Sequence, residues 1–116
     1  MRVAVCPAEE LPPGRMRSVE VDRRSICVVN SAGRYFAVRN RCPHQGSELC
    51  KGSVGGTFVP SQPHQLVYGL DGLVIRCGWH AWEFHLETGR SLFDPDHQRV
   101  KTYPAGEDDG MVWVDA

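Results

Sequence analysis

What most limits this chain is how soon every apolar run meets a turn. Residues 26–29 (Ile-Cys-Val-Val) lead through Asn30-Ser31-Ala32-Gly33 into Tyr35-Phe36-Ala37-Val38. Two β-rich runs joined by a short Asn/Gly turn signal a hairpin. Residues 17–21 alternate polar and apolar, and further strands are expected at 66–68, 73–76, 82–85, 100–103 and 111–114. Asp71-Gly72, Thr88-Gly89 and Asp109-Gly110 each separate two apolar runs, and 12 glycines with 8 prolines oppose long helices. Strand after strand without an intervening helix predicts an all-β antiparallel sandwich or small barrel. Residues 52–65 read as a long loop. There is no internal repeat and no low-complexity segment.

At 116 residues the chain is expected to be a single domain, 1–116. A net charge of −1 gives no field to recruit nucleic acid or an anionic membrane. No apolar run approaches a membrane span, and Pro7 interrupts the amino terminus before a secretory apolar stretch develops, so a cytoplasmic protein is expected. In that compartment the 5 cysteines should be reduced, and clustered Cys and His suggest metal sooner than disulfide. Cys6, Cys27 and Cys50 have no His at ligand spacing and read as small buried hydrophobes or idle thiols. Cys50 differs in lying close to a Cys/His motif.

Two such motifs stand out. Cys42-Pro43-His44-Gln45-Gly46 follows one expected strand, and Cys77-Gly78-Trp79-His80 follows Leu73-Val74-Ile75-Arg76 directly. Each offers a thiolate and an imidazole on a tight loop, and the two loops side by side make a Cys2His2 pocket. Gly46 and Gly78 permit unusual backbone angles and Pro43 stiffens its loop, so backbone N–H groups can turn toward bound sulfur. Structural zinc is one reading, but zinc sites usually leave two to four residues between paired cysteines and three to five between paired histidines. One residue between Cys42 and His44 crowds both onto a single ion. A binuclear iron–sulfur cluster removes the crowding, because Cys and His of each loop can take different irons, and spacing favours that reading without excluding zinc.

Cys-x-His followed by Cys-x-x-His resembles the Rieske signature. The run from Cys77 through Trp82-Glu83-Phe84-His85-Leu86-Glu87-Thr88-Gly89 to Arg90 is similar to Rieske ferredoxins and the Rieske domains of ring-hydroxylating oxygenases. The likeness extends over about residues 19–114, including Phe93-Asp94-Pro95 and the segment from Asp109 to Trp113. It implies a Rieske-type antiparallel β sandwich with a small cluster-binding subdomain made by two loops, at about 42–50 and 77–82. It implies one [2Fe-2S] cluster, with Cys42 and Cys77 on the inner iron and His44 and His80 on the outer iron near the surface. Two departures accompany it. Residues 45–76 make a longer connection than is usual, taken as an inserted loop and hairpin at about 52–72 turning at Asp71-Gly72. Ala81 stands where relatives commonly have Gly.

High-potential Rieske proteins place Ser and Tyr hydroxyls just beyond the second motif and join the two loops by a disulfide. Trp82 and Phe84 match the hydroxyl positions here, and Ser47 and Trp79 match the cysteines, so a low-potential centre is expected. The implied role is one-electron transfer from a flavin-containing reductase to an oxygenase or other oxidoreductase, with no catalysis by this chain alone. The alternatives are a non-catalytic small subunit of a larger, nitrite-reductase-type assembly and a zinc-bound interaction module. Trp79, Trp82 and Trp113 are expected in packing, and His64, His85 and His97 at the surface. Asp94-Pro95 is either a cover over the cluster or a plain turn. Glu107-Asp108-Asp109 reads as a solvated turn with an acidic edge that suits a basic reductase.

Overall fold

Among the described residues the apolar runs become ten strands: β1 (Arg2–Pro7), β2 (Met16–Val21), β3 (Arg24–Ser31), β4 (Arg34–Arg39), β5 (Ser53–Pro60), β6 (Leu66–Arg76), β7 (Glu83–His85), β8 (Thr102–Tyr103), β9 (Ala105–Asp108) and β10 (Met111–Asp115). Two 3-10 turns, Ala8–Glu10 and Leu49–Lys51, are the other regular elements. The computed structural model describes all residues except 44–47, 61–65, 78–82, 93–95 and 97, and gives backbone alone for 55–60 and 66–73. His64, His97, Trp79, Trp82 and Asp94-Pro95 fall outside the described residues.

The expected hairpin forms. β3 turns into β4 through Ala32 and Gly33, at φ 52° and 89°. Two left-handed residues make the primed turn whose twist matches paired strands. Asn30 braces it: its Oδ1 accepts the Gly33 N–H at 2.9 Å and its Nδ2 donates to the Leu11 carbonyl at 2.8 Å. Asp109 and Gly110 close β9 onto β10 in the same way, at φ 51° and 79°. The turn from β2 to β3 uses Asp22 and Arg23, at φ 49° and 66°, with no glycine.

The strands form three antiparallel sheets, ordered β1-β10-β9, β2-β3-β4-β8 and β5-β6-β7. The second lies between two apolar cores. Ile26, Val28 and Ala37 on one face pack with Cys6, Val112 and Val114 of the first sheet. Cys27, Val29 and Val38 on the other face pack with Ile75 and Phe84 of the third sheet. Buried on both faces, residues 26–31 show no polar/apolar alternation, which is why 26–29 read as an unbroken apolar run.

Two expectations are corrected here. Residues 52–65 are not a single long loop, because β5 occupies 53–60 and pairs with β6. Asp71-Gly72 does not turn a hairpin, since β6 runs through it. Gly55 faces Val74 and Thr57 faces Gly69, so residues 70–73 are taken up as a register irregularity opposite Gly56. The cysteines are the second correction. Cys27 on β3 and Cys50 in the 3-10 turn are joined as a disulfide, with Cα atoms 5.5 Å apart. Leu49 is fully buried beside Cys27 in the same core, which brings Cys50 over β3. The expectation from compartment alone did not anticipate that packing.

Candidate metal centre

The first motif begins where β4 ends. Past Arg39, the Asn40 N–H donates to the Ser25 carbonyl at 2.9 Å and the Arg41 N–H to the Arg39 carbonyl at 2.8 Å, bending the chain into Cys42. Asn40 is buried and spends its whole amide on the surrounding segments. Its Nδ2 donates to Ser25 Oγ at 3.0 Å and to Glu48 Oε1 at 3.4 Å, while its Oδ1 accepts the Cys50 N–H at 2.8 Å. One side chain thus ties the strand before the first motif to the segment after it. Glu48 also holds Lys51 at 2.8 Å, and this hydrogen bond, then its charge, raises the ammonium's pKa above the ordinary lysine value.

The second motif begins where β6 ends. Arg76 pairs directly with Glu83 of β7, so Cys77 is the first residue of the connection that this rung closes. Arg76 Nη2 donates to Glu83 Oε2 at 2.6 Å across the rung. One rung further in, Ile75 faces Phe84, and both are fully buried.

Packing places the first residue of each motif in the same core. Cys42 and Cys77, 0% and 1% exposed, lie in one core with Val38, Leu49, Ile75, Phe84, Leu86 and Val100. Neither takes part in the disulfide. Two buried thiols at the ends of two loops, outside that disulfide, are a donor pair suited to a soft metal or an iron–sulfur centre. His44 and His80 lie outside the described residues, so the described half of the four-residue set is the cysteine half.

The Rieske [2Fe-2S] domain profile matches residues 1–104. This chain belongs to the Rieske family. It is 32% identical over 110 residues to the 3-phenylpropionate/cinnamic acid dioxygenase ferredoxin subunit of Photorhabdus laumondii subsp. laumondii, covering 95% of this chain and 90% of that one. Among solved structures it superposes on a chain of the complex of reduced oxygenase and oxidized ferredoxin in carbazole 1,9a-dioxygenase. The TM-score is 0.75 at 24% identity, with 97% and 91% of the two chains covered. It superposes equally well on a chain assigned as an NADH-dependent nitrite reductase small subunit from Mycobacterium tuberculosis. There the TM-score is 0.77 at 24% identity, with 98% and 93% covered. Those two structures share the fold.

As a Rieske domain the protein carries one [2Fe-2S] cluster. The described residues fit that group, since both cysteines of the signature are buried together and outside the disulfide. Asn40 was not singled out from the sequence. A lone Asn after a strand carries no motif, and only its three partners reveal that it holds the first loop's entry and exit. His85 is half-buried, and its Nδ1 accepts the Glu87 N–H at 3.2 Å, so it braces a turn. No described helix is long and apolar enough to cross a membrane.

Proposed function

We propose that this protein is a low-potential Rieske ferredoxin that takes one electron from a flavin-containing reductase and delivers it to an oxygenase. In this reading Cys42 and Cys77 bind the inner iron and His44 and His80 the outer iron, within loops at about 42–50 and 77–82 of a single 1–116 domain. The observation that carries it is the burial of Cys42 and Cys77 in one core at the ends of the two motif-bearing loops. The cluster supplies a one-electron couple, and two neutral imidazoles make reduction easier than in an all-thiolate cluster. Phe84 supports the low potential: it is buried in the core that holds both cysteines and has no O–H to donate to sulfur. The expected potential lies near the bottom of the Rieske range, which runs from roughly −150 to +300 mV. The oxygenase acceptor is supported by relatives named as dioxygenase ferredoxin subunits. The cytoplasm is the proposed compartment, to be checked by fractionation.

EPR of the dithionite-reduced protein tests the ligand set. A mixed His/Cys cluster gives a lower average g than an all-thiolate one, and a silent spectrum overturns the assignment. A second reading, a non-catalytic subunit of a larger oxidoreductase, is favoured by the equal structural likeness to a nitrite reductase small subunit. A stable, stoichiometric partner retained through purification selects that reading over a freely exchanging carrier.

A further inference from the structure

The disulfide and the first motif belong to one closed ring. Cys27 sits on β3 and Cys50 in the 3-10 turn Leu49–Lys51, so the bond between them encloses residues 27–50. That ring contains all of β4 and the Cys42-Pro43-His44 motif. The same strand also grips the other end of the motif. The Asn40 N–H donates to the Ser25 carbonyl at 2.9 Å, and Asn40 Nδ2 donates to Ser25 Oγ at 3.0 Å. Ser25 and Cys27 are two apart on β3. One short stretch of strand thus holds the chain before the motif by hydrogen bonds and after it by a covalent bond.

The two sulfurs differ in access. Cys27 is fully buried in the core of Cys42 and Cys77, whereas Cys50 packs against that core from a half-buried position. A thiolate from solvent therefore reaches the sulfur of Cys50 and displaces Cys27 toward the core, and access is one of the factors that set the rate of such exchange. The turn itself has other anchors. Leu49 is fully buried, and Asn40 Oδ1 accepts the Cys50 N–H at 2.8 Å. The Gly52 N–H donates to the Leu49 carbonyl at 2.9 Å. Breaking the disulfide leaves these contacts in place, but they are noncovalent and open locally, so the exit of the first loop loosens without the turn being lost.

We propose that the Cys27–Cys50 disulfide is a second redox group of this protein, reduced by a protein dithiol, and that its state controls how firmly the first loop holds the cluster. The inference rests on the assignment of Cys42 as a cluster ligand. One thiolate of the dithiol bonds to Cys50 Sγ while the Cys27–Cys50 bond breaks, and Cys27 takes up a proton. The second thiol of the dithiol then displaces Cys50, which takes up the other proton. Two electrons pass from the dithiol to the cysteine pair, and a low-molecular-weight disulfide reverses the exchange by accepting them. Oxidised, the ring is covalently closed around Cys42 and the loop keeps its grip. Reduced, the ring opens at Cys50 and iron leaves more readily. In a compartment rich in dithiols, an accessible disulfide follows the poise of that pool.

The test treats the holoprotein with excess pre-reduced thioredoxin as the dithiol, then follows cluster loss to EDTA by the fading of visible absorbance. The treated parent loses its cluster about tenfold faster than the untreated one, and alkylation after denaturation newly labels Cys27 and Cys50. Glutathione disulfide added before EDTA restores the slow rate. Cys50→Ser shows the fast rate with or without thioredoxin. If that variant assembles no cluster, the thioredoxin and glutathione-disulfide arms on the parent decide. Gly106→Ala, in the first sheet, melts lower yet keeps the slow rate, which separates a local tether from general stability. The proposal is overturned if thioredoxin leaves Cys27 and Cys50 unlabelled, if both redox states lose the cluster at one rate, or if Gly106→Ala speeds the loss as much as Cys50→Ser. A parent without iron and acid-labile sulfide in either state overturns the cluster assignment, and this proposal with it.

Discussion

Arg23 sits at φ 66° in the β2–β3 turn, where a side chain meets its own backbone and glycine does not. Arg23→Gly is expected to stabilise the protein by about 0.5–1 kcal/mol, read as a higher denaturant midpoint at an unchanged slope. Asn40 is the opposite case. Asn40→Ala leaves the Cys50 N–H without its acceptor and frees the segment beyond the first motif, at a cost of about 1–3 kcal/mol. If the residue positions the first loop, iron and acid-labile sulfide per chain also fall in that variant. Full cluster content with only a lower melting point would assign Asn40 to stability alone. At this scale the sequence was readable wherever a residue type carries its own geometry. Ala32-Gly33 and Asp109-Gly110 announced their turns because glycine tolerates positive φ, whereas Asp22-Arg23 adopts the same turn without advertising it.

At the level of elements, the disulfide is the least legible feature. Cys27 and Cys50 are 23 residues apart, and neither has a neighbour in sequence that hints at the other. Their meeting depends on how the 3-10 turn packs over β3, a tertiary fact. Loop-closure entropy for a separation of that length corresponds to about 3 kcal/mol. Cys50→Ser should lower the unfolding midpoint accordingly, and alkylation of the denatured, unreduced parent should label Cys6, Cys42 and Cys77 while sparing the other two. Labelling at Cys27 and Cys50 in protein purified without reductant would remove the bridge from the account. The Asp71-Gly72 turn failed for a related reason. The dipeptide is a good local signal, but the pairing of β5 with β6 on either side of it absorbs the extra residues. In the first sheet, Gly106 faces Trp113 across a rung, and Arg2 stacks on that indole at 3.7 Å from its centroid. A Cβ at Gly106 would come within 2.7 Å of the ring, so Gly106→Ala should cost about 1–3 kcal/mol in a thermal melt.

For the molecule as a whole, the fold and the family were legible because strand-turn rhythm and the paired Cys/His spacing both survive without knowledge of packing. Cys42 and Cys77, the cysteines of the two motifs, lie buried in one core. The order of the sheets was not legible, since nothing in a strand's own residues names its neighbour in the layer above. Redox titration belongs to this scale, because the potential sums hydrogen bonding, burial and charge around the cluster. A midpoint above roughly +100 mV would sink the low-potential reading and point to donors to sulfur beyond Phe84.

The middle sheet carries one further consequence. β3 contributes to both apolar cores, so neither end can open without exposing a face of the same strand. The amide protons of Cys27, Val28 and Val29 should therefore be among the slowest in the protein to exchange with deuterium, approaching the rate set by global unfolding. Loss of the metal end should then be felt at the far sheet as faster exchange in β1 and β10. A molecule built this way has no spare half: the strand that insulates one core from the other also makes them melt together.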